Sequence, residues 1–288
     1  MKIENKNSIV AFIDILGFKN IIELNNNNND NLIINQLQKA LDQAYKKTIY
    51  LMSKIFSKID KIDNSNLENR LKVRQFSDNI FFSVDFENDE EYELSVYFIA
   101  LISASYQREM LSNNFYVRGG IAEGQNYFGE NMIFSKALVQ AYEIENKQAI
   151  YPRIVIQKSI IAKLESIPDD NIINTLHPKL VVKDWIGLSF LNPFNLMSAT
   201  IEMLDNFPEI IDELEEVLDD SLLAEFEKLE PDIQDHEFVN IVLKDINQKM
   251  IDYYNTEPEL YVKYVWLNEF IKWNSKNECK LKFEYITL

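Results

Sequence analysis

SIVAFIDIL, residues 8–16, is an apolar run with one charge near its end, and Gly17 follows at once. A short apolar run without helical spacing reads as a buried β-strand. Asp14 inside it needs explaining, because a carboxylate is costly to bury unless it is paired or bound to a cation. Downstream, Leu71–Phe76 and Ile80–Phe86 are two more apolar runs, separated by the turn formers Ser77-Asp78-Asn79, which is the pattern of a β-hairpin. Before it, the asparagine run Asn25–Asn29 reads as a loop. From Leu32 to Ile59 the positions Ile34, Leu37, Leu41, Ala44, Met52, Ile55 and Ile59 keep helical spacing. Residues 92–110 and 133–146 read as helices, and 115–123 (FYVRGGIAE) and 153–157 (RIVIQ) as strands. This order predicts an α+β sandwich, an antiparallel-rich sheet with helices on one face, rather than a doubly wound fold. Beyond about residue 165 the pattern turns mostly helical and acidic, closing with an aromatic-rich helix at Tyr261–Trp273 and a strand at Lys280–Ile286. The expected division is 1–165 and 166–288, the second part packing on or extending the first.

With 288 residues, 47% of them hydrophobic, the chain can bury a sizeable core. A charged fraction of 26% excludes wholesale disorder. The net charge of −17 is concentrated in residues 201–260, which hold 19 Asp and Glu against 3 Lys. Such a balance argues against nucleic acid or an anionic membrane as a partner. It leaves a nucleotide substrate open, because metal ions can carry the phosphate charge. The least polar stretch, Leu94–Tyr106, is too short to span a bilayer. The opening MKIENKNSIV lacks the layout of a signal peptide, and the lone Cys279 cannot form an internal disulfide, so a cytoplasmic setting is expected. One cysteine and two isolated histidines, His177 and His236, exclude a Cys/His zinc cluster. Four of the six glycines fall between Gly119 and Gly129, which implies a special local backbone. Gly119-Gly120-x₃-Gly124 is no phosphate loop, since the Lys-Ser/Thr that would grip a phosphate is missing.

Asp14 near the end of one strand and Asp78 at a hairpin tip would, on adjacent strands, make a hard-oxygen site suited to Mg²⁺ or Mn²⁺. The pattern alone leaves ordinary roles open: Asp14 satisfied by backbone donors, Asp78 as a turn residue.

Three segments in this order, FIDILGF (Phe12–Phe18), RQFSDNIFF (Arg74–Phe82) and VRGGIAEGQNYFG…SKALVQAYEIE (Val117–Glu145), together resemble the catalytic domain of class III nucleotidyl cyclases. The similarity is greatest to the divergent bacterial branch that includes the pyrimidine cyclases of Pycsar anti-phage defence, and it covers roughly residues 8–160. The resemblance implies the ferredoxin-like cyclase sandwich and two divalent ions, Mg²⁺ or Mn²⁺, held by Asp14, Asp78 and the backbone carbonyl of Ile15. It implies phosphates received by the backbone at Leu16–Phe18, where Gly17 lets the chain approach closely and Phe18 opens a helix. Arg74 takes the place of a base-reading residue, and its donor-only fork suits a base carbonyl such as that of UTP or CTP. A two-fold homodimer is implied; repulsion of like charge across the two-fold axis then places the expected contact in the N-terminal part, with the acidic 201–260 region outside it.

One departure stands out. The helix positions that hold an asparagine and an arginine in this family carry Val139 and Glu143 here. Lys136, Arg118 and Tyr142 are the nearby substitutes, with Arg153 a weaker one. The expected activity is cyclisation of a nucleoside triphosphate to a 3′,5′-cyclic monophosphate and pyrophosphate. The alternative is a catalytically inactive module that binds a nucleotide or a protein. The C-terminal segments DWIGL and YVKYVWLNEF are similar to tails of uncharacterised proteins with the same head and imply no chemistry.

Overall fold

The structure is a computed structural model that describes residues 6–28, 32–63, 70–129, 132–166, 180–196, 231–276 and 280–285. Cys279, His177 and the first half of the acidic stretch, residues 201–230, lie outside them. β1 (Lys6–Ile15) is central, paired antiparallel with β3 (Asn79–Phe86) on one side and β4 (Val117–Phe128) on the other. β2 (Leu71–Phe76) forms the hairpin with β3. β5 (Ile133–Ser135) folds back on the end of β4, and β6 (Ile154–Ile156) lies parallel to its start. The sheet continues through β8 (Ser189–Leu191), β7 (Val181–Asp184) and β9 (Phe283–Tyr285), giving the order β2-β3-β1-β4-β6-β8-β7-β9. The fold is α+β with a mostly antiparallel sheet of nine strands.

Among the described residues there are seven α-helices: α1 (Phe18–Asn28), α2 (Leu32–Asp63), α3 (Asp89–Ser112), α4 (Lys136–Lys147), α5 (Lys158–Leu164), α6 (Pro231–Tyr253) and α7 (Pro258–Asn274). They cover both faces of the sheet, which corrects the expectation of one covered face. The reason lies in β1 itself. Ile9, Ala11, Ile13 and Ile15 join the core built with α2 and α3, whereas Val10, Phe12 and Leu16 join a second core with α4, α6 and α7. Side chains alternate along a strand, so the consecutive apolar residues Ile9–Ile13 need cover on both sides.

Three further expectations are corrected. Asn25–Asn28 belong to α1, not to a loop. The helix is seeded where the Asn20 and Ile21 amides bond to the Gly17 carbonyl, and Phe18 and Ile21 anchor it on the core. Once nucleated, a helix extends at a cost of only tenths of a kcal/mol (~0.5) per asparagine. Residues 133–135 are a strand, and α4 starts after Ser135, whose hydroxyl accepts the Leu138 amide at 2.9 Å. The region after residue 165 is less purely helical than expected, since it adds β7 and β8 to the sheet besides the anticipated last strand. No described helix is long and apolar enough to cross a membrane.

Candidate active site

β1 and the β2–β3 hairpin end side by side. Asp14 pairs with Asn79 in the ladder, and the Ile15 amide donates to the Asp78 carbonyl at 3.2 Å. The Asp14 and Asp78 side chains are thereby within hydrogen-bond reach of each other, although 63 residues separate them in sequence. Ser77, just before Asp78, takes a left-handed φ of 53° that turns the chain over, and Asn79 Nδ2 donates to Asp78 Oδ1 at 3.0 Å.

On the other side of β1, Asp14 faces Arg118 across the β1–β4 ladder, with Nη2 3.4 Å from Oδ2. The same guanidinium reaches α4, its Nε lying 2.8 Å from Oε1 of the buried Glu145 in an ion pair not aligned as a hydrogen bond. Two carboxylates thus share one guanidinium, with a third, Asp78, beside Asp14. Burial, then the bond to Asp78 and the charges of Asp78 and Glu145, push the Asp14 carboxyl up to about 7, against the opposing pull of Arg118. Burial likewise raises Glu145, with Arg118 opposing and Asp78 assisting. Lys263 of α7 lies in the same field; burial, and then the charge of Arg118, lower its pKa.

The helix α4 can bring Glu145 this close because Gly120 has no side chain. A Cβ there would stand 2.2 Å from the Ala141 carbonyl oxygen. Glu145 escaped the sequence reading, although it shares a helical stripe with the buried Ala137, Ala141 and Ile144. A carboxylate on such a stripe is the signal that could have found it.

Gly17 makes the turn from β1 into α1 with φ +76°, and nothing lies within 4 Å of where its Cβ would be. The glycine serves the left-handed backbone conformation, and the side on which a Cβ would stand is open. Ile15 and Phe18 pack inward on the core. The remaining candidates scatter. Arg74 donates through Nη2 to the Gly129 carbonyl at 3.3 Å and sits over the Phe128 ring at 5.1 Å. Tyr142 is half exposed, its ring edge-to-face with Phe12 at 5.7 Å. Val139 stands 59% exposed, and Glu143 pairs with Lys147 at 3.2 Å.

Lys136 is not beside Asp14 in this chain. It lies near Gly124, which pairs with Ser8 six positions up β1, about 20 Å away at ~3.3 Å per residue. Arg153 is fully buried, ion-paired with Asp184 and ringed by Tyr151, Phe190 and Trp266, each at 5.3 Å. It serves the core, not the site.

Two carboxylates and a backbone carbonyl at one sheet edge form a hard-oxygen donor set. Among the described residues no group of three or more His, Cys, Asp or Glu side chains is arranged around a common ion position.

No protein-family model matches this chain, and no curated protein matches it. Among solved structures it is similar to the adenylyl cyclase CyaB from P. aeruginosa (12% identity, 67% of this chain and 96% of that chain, TM-score 0.44). It is also similar to a bacterial light-regulated adenylyl cyclase (12% identity, 70% and 100%, TM-score 0.37). A third likeness is to an adenylate/guanylate cyclase/hydrolase from Silicibacter pomeroyi (12% identity, 65% and 95%, TM-score 0.35).

Proposed function

We propose that the chain is a metal-dependent nucleotidyl cyclase that converts a nucleoside triphosphate to its 3′,5′-cyclic monophosphate and pyrophosphate. The observation that carries this reading is the meeting of Asp14 and Asp78 beside the β1–α1 turn, in a cluster where Asp14, Asp78 and Glu145 outnumber the Arg118 guanidinium that pairs with two of them. Crowded carboxylates, with the Asp14 carboxyl pushed up to about 7 by burial and by its acidic neighbours, fit a divalent cation. Asp14, Asp78 and the Ile15 carbonyl would hold Mg²⁺ or Mn²⁺. When bound, such ions lower the pKa of the ribose 3′-hydroxyl and neutralise the triphosphate as pyrophosphate leaves.

In that step the 3′-oxygen bonds to the α-phosphorus and the bond to the β-phosphate oxygen breaks. The chain's own groups position the reactants. The first-turn amides of α1 receive phosphate oxygens, and Gly17 turns those amides toward the Asp14 end of β1. Arg118 is the cation in contact with Asp14 and supplies positive charge where the family's helix arginine is replaced by Glu143. Arg74 reads the base. The resemblance favours a pyrimidine, UTP or CTP, and a role in anti-phage defence as a second-messenger synthase.

A homodimer is part of the proposal. Phe134, Val139 and Tyr142 stand 70%, 59% and 49% exposed on β5 and the outward side of α4, an apolar surface suited to a second copy. Lys136 can join Asp14 only from such a copy. A stable monomer at micromolar concentration in light scattering, with or without nucleotide, would remove this part.

The inactive-module reading draws on one observation, the exposed Val139 and the solvent-paired Glu143 at the helix positions the family uses for catalysis. Incubation with each of the four nucleoside triphosphates and Mn²⁺, followed by mass spectrometry, separates the two. A cyclic nucleotide formed by the wild type and abolished by Asp78→Asn supports the cyclase. Nucleotide binding with no cyclic product supports the module.

A further inference from the structure

We propose that the chain carries a second small-molecule site, for a heteroaromatic phosphate of nucleoside-monophosphate size, in the cavity between the β1–α1 turn and the C-terminal helices. The cavity measures about 470 Å³, within the range of ligand pockets. Neither Asp14 nor Asp78 lines it, and its walls come from parts of the chain far apart in sequence. Leu16 and Gly17 form one side, α2 another, and the α3–β4 turn at Asn113 and Asn114 a third. Lys249, Tyr253 and Tyr264 of α6 and α7 close it.

The chemistry of the lining defines the ligand. Aromatic rings line the cavity: the buried Tyr264 meets the buried Tyr116 edge-to-face at 5.1 Å and backs the half-buried Tyr253, parallel to it at 5.8 Å, which is the ring open to a ligand. Such rings hold a planar heterocycle by stacking, whatever its base. Two ammonium groups, Lys39 and Lys249, reach the cavity, and no carboxylate is among its described lining residues. Two carboxylates that touch its lining residues are already engaged. Asp245 accepts the Tyr116 hydroxyl and pairs with Lys249 at 3.7 Å, and Glu257 accepts from Asn20 at 3.0 Å. Side-chain amides of Asn20, Gln36, Asn113 and Asn114 offer both donors and acceptors, as the edge of a heterocycle requires. A phosphate at the lysines with a ring against the tyrosines satisfies all three features together. Occupancy bears on Leu16 and Gly17, two and three residues from Asp14, so a ligand here acts on the turn that positions the carboxylate pair.

Binding itself does not rest on the cyclase reading. The test is isothermal titration of the full chain with UMP, AMP and inorganic phosphate. The expected result is saturable binding of at least one nucleotide, with inorganic phosphate weaker by roughly tenfold or more. Lys249→Met should weaken the nucleotide by about tenfold. Gln36→Trp, at an exposed helix position on the cavity wall, should abolish binding and serves as the test if Lys249→Met fails to fold. Asp78→Asn should leave the affinity unchanged. The proposal is overturned if neither nucleotide binds at millimolar concentration, if phosphate alone binds as tightly, or if Asp78→Asn removes binding while Gln36→Trp does not.

Discussion

Arg153 and Arg118 are both taken largely out of water, and the fold treats them in opposite ways. Arg153 meets one carboxylate, Asp184, which also accepts the Ile186 and Leu188 amides, and three aromatic rings surround the guanidinium. Charge is balanced one to one, and the pair ties β6 to β7 under Trp266 of α7. Arg118 faces Asp14 and Glu145 with Asp78 beside them, leaving an excess of negative charge at the end of β1. This contrast between a charge neutralised fully in one place and left unbalanced in another is what the proposed cation site rests on.

The contrast is open to direct attack. Arg153→Ala should be the most damaging change, costing about 3–5 kcal/mol because Asp184 is left buried without its counter-charge. Chemical denaturation would show it, and a loss below 1 kcal/mol (roughly the value of an exposed pair) would erase the distinction. Gly120→Ala should come next, at about 1–3 kcal/mol, since its methyl would strike the Ala141 carbonyl and push α4 and Glu145 away from Arg118. Gly17→Ala should cost only about 1–2 kcal/mol, because the left-handed φ is strained while the space is open.

Asp14→Asn should have the smallest effect on the metal-free protein and the opposite sign, leaving stability at pH 7 unchanged or raised by up to about 1 kcal/mol. The pH dependence sharpens this. Asp14 has a folded pKa near 7 against an ordinary 3.8. The folded state therefore holds more protons than the unfolded one between those values, and stability should fall as pH rises from about 4 to 7. The Asn variant should lose that part of the slope. A variant with the same slope as the wild type would show that Asp14 titrates normally.

The site was legible where local signals sufficed. An out-of-place carboxylate in SIVAFIDIL and the turn residues at 77–79 locate Asp14 and Asp78, and ladder pairing then brings them together. What stayed hidden depends on long-range geometry. Lys136 follows closely on the Val117–Phe128 segment in sequence, yet a strand of 12 residues runs about 40 Å at ~3.3 Å each, so closeness in sequence did not mean the same end of the sheet. β7 and β8, four and three residues long, are too short to show alternation. The second covered face was already written in the run Ile9–Ile13 of β1, where five consecutive positions, not every other one, are hydrophobic.

The central claim is that the Asp14–Asp78 pair is a divalent-cation site. Thermal unfolding at pH 7.5 with increasing Mn²⁺ tests it most directly, comparing the wild type with Asp14→Asn and Asp78→Asn. Binding to the folded state alone should stabilise the wild type by RT ln(1 + [L]/Kd), about 2.7 kcal/mol at a hundredfold excess over Kd, and should leave both variants unmoved. A wild type that does not respond, or variants that respond as it does, would contradict the claim.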